Sequence, residues 1–420
     1  MATKRKLIAE VFTPRSAHVN SGMYIRRDIL EKALVRSVNG SMHSFLFGVS
    51  GSGKTWMFKS VFDREGIKYV VANCARANLS GSLGLEIQSA CNALPVAEKI
   101  AYSETKKASA SALVGAEIAH EGSYEFAKPD RLLKAFQKLN GGISISRKKP
   151  AVVVIENVEA LLKNQALLEE LGNLIILLDD ERYSGYRVKF LIVGVPDNVI
   201  EYFSSTDNPT SVGNRIDEIP RISGLSHLQV ISLLDIGFKQ NLKVNFTSDQ
   251  FERLCLHVFN VTLGIPQRIH EYCECLAYLI EESNWEYVHQ LLDGADRRWL
   301  VKGLRKSYTA INSHLNSDET STGRRNQVIY AIGRISNHQI DTNQIGDVIA
   351  SEFPNNTPES RSGIGQILSH LCTGESPILK KIDNSTFYAI TDPRILMCIR
   401  LALYKDEETG SVKKLKFEMN

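Results

Sequence analysis

The residues best equipped for chemistry lie in Gly48-Val49-Ser50-Gly51-Ser52-Gly53-Lys54-Thr55. The spacing fits G-x-x-x-x-G-K-[ST], a phosphate-binding loop. An apolar run, Phe45-Leu46-Phe47, leads in, and Trp56, Met57 and Phe58 lead out, so a strand before the loop and a helix after it are expected. Glycine lets the backbone turn tightly and aim several N–H groups at one anion. The following helix turns its positive end to the same point. Lys54 would reach the terminal phosphates and the Thr55 hydroxyl would bind Mg²⁺. Gly48, Ser50, Gly51, Ser52, Gly53, Lys54, Thr55 and Trp56 are therefore the expected nucleotide contacts.

A second chemical position is the end of Ala151-Val152-Val153-Val154-Ile155-Glu156-Asn157. The apolar β-branched run reads as a strand buried on both faces. Its carboxylate stands where open α/β sheets bind ligands, at the carboxyl end of a strand. Glu156 can serve a metal ion or polarise water. Asn157 can orient water but cannot accept a proton.

Composition bounds the rest. A chain of 420 residues predicts about two to three domains. With 43% hydrophobic and 23% charged residues it has the balance of a globular protein, and a net charge of +3 implies no large nucleic-acid footprint. The seven cysteines are scattered without a Cys-x-x-Cys, and Cys273 and Cys275 do not share a helical face. Buried free thiols in a reducing cytosol are expected. The basic N-terminus lacks the apolar core of a secretory signal, and an apolar patch such as Leu174–Leu178 is far too short for a bilayer. The expected location is the cytoplasm, without membrane contact.

The elements that must position these groups follow in order. Met1–Gly22 reads as an irregular basic arm and Met23–Val38 as a helix. Lys68–Cys74 is the next strand, then come helices near Leu83–Ala93 and over Asp130–Leu139. Between them the segment Lys106–Phe126, rich in small residues, reads as an insertion at about 100–130. A leucine-dense helix is expected over Val158–Asp180, a strand over Arg187–Val193 and a last strand over Glu218–Ile222. Helices over Ser226–Gln240, Ser248–Phe259, Pro266–Glu282 and Asn284–Leu315 form a helical region, and Asn316–Gly323 is a polar linker. Three helices (Arg324–Ile335, Thr342–Phe353, Ser360–Cys372), two short strands (Ile378–Ile382, Phe387–Ile390) and a closing helix (Pro393–Tyr404) complete the chain. The domain boundaries implied are 1–223, 224–316 and 317–420.

With these motifs in place, Met23–Leu315 resembles AAA+ and STAND P-loop ATPases of the initiator-like clade. The resemblance implies an AAA+ parallel sheet, a helical lid and a C-terminal winged-helix domain, with ATP and Mg²⁺ as cofactors. Ala151–Asn157 resembles the Walker B motif, whose usual ending is Asp-Glu rather than Glu156-Asn157. Tyr24–Leu30 resembles the segment that packs on adenine, making Ile25 the base contact. The γ-phosphate sensor after Arg187–Val193 falls at the apolar Val195, with Asp197 or Asn198 as substitutes. Ser211–Ile216 resembles an arginine-finger segment, so Arg215 would act on a neighbouring subunit's nucleotide. Gly264-Ile265-Pro266-Gln267-Arg268 resembles the start of the third lid helix, where either Arg268 or Pro266 would contact nucleotide. His270 lies one turn on, as packing or as chemistry.

In a winged-helix domain Arg361 and Gln366 would lie on the recognition helix and Lys380 and Lys381 on the wing. Yet 317–420 holds about 12 basic and about 13 acidic residues, without a DNA reader's basic excess. Three functions are therefore expected in competition. One is an ATP-driven, homo-oligomeric switch serving an effector protein or DNA, as in DNA transactions or anti-phage defence. The second is a DNA-binding initiator or transposition-type regulator, and the third is a nucleotide-binding scaffold with little hydrolysis.

Overall fold

The computed structural model describes residues 4–94, 130–141, 149–195, 203, 206, 208–316, 323–335, 339–354 and 363–415. The expected insertion Lys106–Phe126, the sensor candidates Asp197 and Asn198, and Ser360 and Arg361 lie outside the described residues. The chain forms two compact units. One comprises Arg27–Val49 and Met57–Ile222; the other comprises Met1–Arg26, Ser50–Trp56 and Ser223–Asn420.

The first unit is an α/β P-loop NTPase fold. Its strands are β1 (His43–Phe47), β2 (Tyr69–Asn73), β3 (Ala151–Glu156), β4 (Val188–Gly194) and β5 (Ile216–Glu218), all parallel, in the order β2-β3-β4-β1-β5. Side chains Val152–Ile155 are fully buried, as β-branched residues between two helical layers should be. Each such side chain contributes about 1.5–3 kcal/mol on burial. Glu156 pairs with Val193, and Val193 with Leu46, so β3, β4 and β1 end in one rank. Glu156 thus stands on the edge from which the chain leaves β1 into Gly48. Around the sheet, helix Gln165–Leu177 lends Glu170 to cap helix Leu83–Asn92, accepting from Leu83 N–H at 2.7 Å and Gly84 N–H at 2.9 Å.

Several elements depart from expectation for local reasons. The helix expected from Met23 runs over Asp28–Asn39, and Tyr24–Arg27 precedes it without helical structure. The helix expected over Val158–Asp180 is divided. Asn157 is left-handed (φ 60°), a 3₁₀ turn covers Val158–Leu161, and helix Gln165–Leu177 starts where the Asn164 side chain accepts from Leu167 N–H. Asparagine suits both positions, tolerating left-handed backbone and capping helices. The last strand is Ile216–Glu218 rather than Glu218–Ile222, because Pro220 offers no N–H to continue the ladder. Ile222 still makes a single bridge to Gly48.

The second unit carries helices His227–Leu234, Ser248–Thr262, Pro266–Glu282, Leu291–Gly303 and Arg305–His314. The first was expected to reach Gln240. Instead a π-helical segment, Asp235–Asn241, lets Gly237 receive the Phe12 ring, which a Cβ there would meet at 2.8 Å. The arm is therefore not wholly irregular. Ile8–Val11 is a short helix, Ile8, Val11 and Phe12 are buried, Lys6 N–H donates to Asn241 O at 3.1 Å, and the Arg5 guanidinium lies 3.9 Å from the Trp285 ring.

Toward the C-terminus come helices Arg324–Arg334, Thr342–Glu352 and Ile364–His370. The hairpin of β6 (Leu379–Lys381) and β7 (Tyr388–Ile390) follows, with helix Pro393–Ala402 after it. Ile340 bridges Tyr388 as a third strand position. The final helix stops at Ala402 instead of Tyr404, and β8 (Leu403–Lys405) pairs antiparallel with β9 (Val412–Lys414) in what reads from composition as a tail. The turn is fixed by the Asp406 carboxylate, which accepts Thr409 N–H at 2.8 Å. All seven cysteines are free and six are buried; burial pushes the Cys74 and Cys255 thiols up to about 12. Among the described residues no helix is long and apolar enough to cross a membrane.

Two predictions follow from the sheet. His43 is 4% exposed and its Nδ1 accepts Phe190 N–H at 3.1 Å. Burial, reinforced by the Lys189 charge, pushes its pKa down from 6.5 to about 4. Between those values the unfolded chain binds a proton that the folded chain refuses. Its stabilisation is therefore complete above pH 6.5 and lost as pH falls toward 4, by about 2 kcal/mol between pH 7 and pH 5. Urea unfolding at the two pH values should show this loss shrinking by that amount in His43→Asn, which keeps an acceptor for Phe190; equal losses in both proteins would refute the assignment. At the exit of β1, Gly48 has φ 150°, and a Cβ there would stand 2.3 Å from Ile222 O. Gly48→Ala should cost at least about 2 kcal/mol, whereas Ser50→Ala, on exposed backbone, should be neutral. Matching midpoints in urea would contradict this.

Candidate nucleotide-binding site

The loop is built by its neighbours in sequence. All five residues of β1 are buried, and the Phe45 and Phe47 rings stack 5.4 Å apart. After Gly48, two more glycines take left-handed backbone, Gly51 at φ 82° and Gly53 at φ 89°. A side chain at either would be strained, so glycine is required. Helix Lys54–Glu65 begins directly after them and is anchored by buried Met57, Phe58, Val61 and Phe62. Lys54 and Thr55 therefore occupy the first helical turn, where backbone N–H groups lack intrahelical partners.

A second segment meets this loop. Gly51 O accepts Gln267 N–H at 3.2 Å, and a Cβ on Gly51 would stand 2.9 Å from Gln267 Oε1 and 3.4 Å from Ile265 Cγ2. The approach is set by Gly264, whose φ of 66° and 2.3 Å clearance from Leu225 O exclude any side chain. Leu225 N–H closes that turn on Gly264 O at 2.7 Å. Pro266 is the first residue of helix Pro266–Glu282, where a missing N–H costs nothing. Thus Ile265 and Gln267 touch the loop. Arg268, 8% exposed, points its guanidinium at Glu271, with Nη1 2.8 Å from both carboxylate oxygens. Glu271 also accepts from Gln267 Nε2 at 2.9 Å and Trp299 Nε1 at 3.4 Å.

A third segment comes from the arm. Trp56 Nε1–H donates to Ser16 O at 3.2 Å, Thr13 N–H donates to His270 Nδ1 at 3.0 Å, and the Trp56 and His270 rings meet edge to face at 5.6 Å. Ile25 is half-buried just before helix Asp28–Asn39.

Within the α/β unit, Glu156 lies at the carboxyl edge of the sheet and Asn157 follows in left-handed backbone. Val195, just past β4, is 37% exposed. Arg215 sits at the opposite edge: its carbonyl accepts His43 N–H at 2.8 Å, at the start of β1. Gly48 lies at the far end of the same strand, about 15 Å away at the usual rise per residue. Arg215 Nε pairs with Asp179 at 2.6 Å, and its Nη1 donates to Ser211 O and Oγ at 2.7 and 2.8 Å. The sequence reading missed Ile265, Gln267, Glu271, Thr13 and Ser16. The available signal was helical spacing, since Gln267, His270 and Glu271 share a face of the helix that Pro266 starts.

The comparisons bear on this fold. The family described as an AAA domain matches residues 38–203. No curated protein matches. A solved Walker-type ATPase of Pyrococcus abyssi is similar over 90% of this chain and 96% of its own, at 14% identity and TM-score 0.51. Also similar are Cdc6p from Pyrobaculum aerophilum, at 16% identity, 95% and 99% coverage and TM-score 0.44, and the ORC2 protein of Aeropyrum pernix in its ADPNP–ADP complexes, at 12%, 92% and 96%, and 0.48. At such identities the likeness to the Pyrococcus abyssi structure speaks to the fold alone.

Proposed function

We propose that this protein binds ATP with Mg²⁺ and uses slow hydrolysis to switch conformation or assembly. One observation carries the reading: three glycines of positive φ stand between the buried strand β1 and the helix that begins at Lys54. A Cβ would intrude at Gly48 and Gly51, so the cradle fits a phosphate chain held by backbone N–H groups. Lys54 would neutralise the terminal phosphates. Thr55 and Glu156 would hold the metal, which supplies charge neutralisation on the phosphate oxygens. Asn157 would orient water without taking its proton, and this supports a slow switch over a fast motor. Ile25 would contact the base, Pro266 or Arg268 the nucleotide from the lid side, and Arg215 a neighbouring subunit's nucleotide in a homo-oligomer. The resemblance to AAA+ and STAND proteins suggests an effector protein or DNA as partner, in DNA transactions or anti-phage defence.

A second reading, engagement of duplex DNA, draws on the hairpin β6–β7. It follows three helices, as a wing would, and presents Lys380 and Lys381 exposed. Lys380→Ala with Lys381→Ala should then flatten the salt dependence of duplex binding.

The central test is direct. Lys54→Ala should abolish ATP binding measured by calorimetry, and Glu156→Gln should keep binding but lose phosphate release. Wild-type protein should also change size or protease sensitivity with ATP. Undiminished phosphate release in Glu156→Gln would rule out its catalytic role. Binding and switching without any turnover would favour the scaffold reading.

A further inference from the structure

One buried titratable group beside the loop has no evident chemical task. His270 is 3% exposed, and burial alone pushes its pKa down to about 4. It is neutral near pH 7. Since Nδ1 accepts the Thr13 N–H, the ring proton is assigned to Nε2. Its ring is the meeting point of three segments remote in sequence. Phe12 of the arm packs against it with centroids 6.0 Å apart, Thr13 donates to it, and Trp56 meets it edge to face.

Trp56 stands two residues after Lys54 in the helix leaving the phosphate loop, and its indole N–H is held by Ser16 O. The arm is itself fastened on both sides of this point. Phe12 is buried 5.0 Å from the Phe238 ring, and the Arg15 Nε lies 3.7 Å from Glu271. At the joint itself the contacts are backbone and aromatic: Thr13 N–H on His270 and the Phe12, His270 and Trp56 rings. Such contacts constrain direction: edge-to-face rings and a hydrogen-bonded indole fix Trp56 in one orientation.

We propose that His270 is a positioning residue of the nucleotide site: by holding Thr13 and abutting Trp56, it fixes the first turn of the helix that carries Lys54 and Thr55. The arm Phe12–Ser16 is then part of the nucleotide-binding machinery and not only a cover for the lid helices. The inference rests on the reading of Gly48–Thr55 as an ATP site. It adds that ATP affinity depends on a histidine and an arm that need not touch the ligand.

The test compares ATP binding of the full chain by calorimetry, with thermal midpoints recorded alongside. His270→Leu keeps apolar bulk but removes the acceptor, and should weaken ATP binding about tenfold. His270→Asn, whose Oδ1 can accept from Thr13 N–H, should recover most of the loss. Val258→Ala, a buried truncation in helix Ser248–Thr262, serves as a stability control and should lower the midpoint without changing affinity. If His270→Leu does not fold, Trp56→Phe, which removes the indole donor to Ser16, should weaken binding while His270→Asn binds nearly as wild type. Wild-type affinity in either His270→Leu or Trp56→Phe would overturn the inference, as would a loss in His270→Asn as large as in His270→Leu. Lys54→Ala separates the two readings. If it binds ATP like wild type, the ATP site itself is misassigned; if it alone loses binding, only the role of His270 falls.

Discussion

A polyphosphate held by backbone needs several N–H groups aimed at one point, and only left-handed turns between a strand and a helix achieve this without side chains in the way. Gly48, Gly51 and Gly53 meet that constraint, and much of the structure is arranged to keep it satisfied. The carbonyl of Ile222 closes on Gly48, leaving no room for a Cβ. Ile265 and Gln267 close on Gly51 from another segment, which in turn needs the tight turn at Gly264. Each contact removes freedom from a loop that glycine makes intrinsically floppy. The entropy cost of ordering those residues is met by packing around them, because no side chain of their own can contribute.

This dependence explains why residues Ser50–Trp56 group with the helical unit although β1 belongs to the sheet. The middle of the loop has its non-local contacts with Ile265, Gln267, His270 and the arm. The same geometry gives the arm a purpose that its sequence hides. Phe12, Thr13 and Ser16 engage by one buried ring and two backbone groups, none of which is distinctive in a list of residues.

What could be read from the sequence divides along physical lines. The loop, strands β2 to β4 and helix Pro266–Glu282 were legible because each is written in local chemistry: glycine spacing, β-branched runs, a proline at a helix start. The division of Val158–Asp180 was not, because leucine periodicity outweighs the backbone preferences of Asn157 and Asn164 until both are seen as a left-handed residue and a cap. The π-helical segment at Asp235–Asn241 is explained by a ring from the arm over 220 residues earlier, so no local pattern contains it. Within the candidate site, Pro266 and Arg268 stand out by type. The loop is nevertheless met by Ile265 and by the backbone of Gln267, whose side-chain identities say little about where their main chain lies.

The two arginines offered by the sequence differ in their freedom to change partners. Arg268 and Glu271 are 9% and 12% exposed at their side chains. Separating such a pair leaves a buried charge uncompensated, which costs about 3–5 kcal/mol. Arg215 and Asp179 are 30% and 56% exposed. A pair that open to water contributes only about 0–1 kcal/mol, so a phosphate can replace Asp179 at little expense. Bidentate recognition of phosphate by a guanidinium exceeds that difference readily in a drier setting. Arg215 is thus the arginine whose charge is available for exchange, and it lies at the far end of β1 from the loop of its own chain. Its distance from that loop, about 15 Å along the strand, is what motivates the proposal that it would act on a neighbouring copy. Arg268, fixed on Glu271, is better suited to hold the start of its helix against Gly51 than to move toward a ligand.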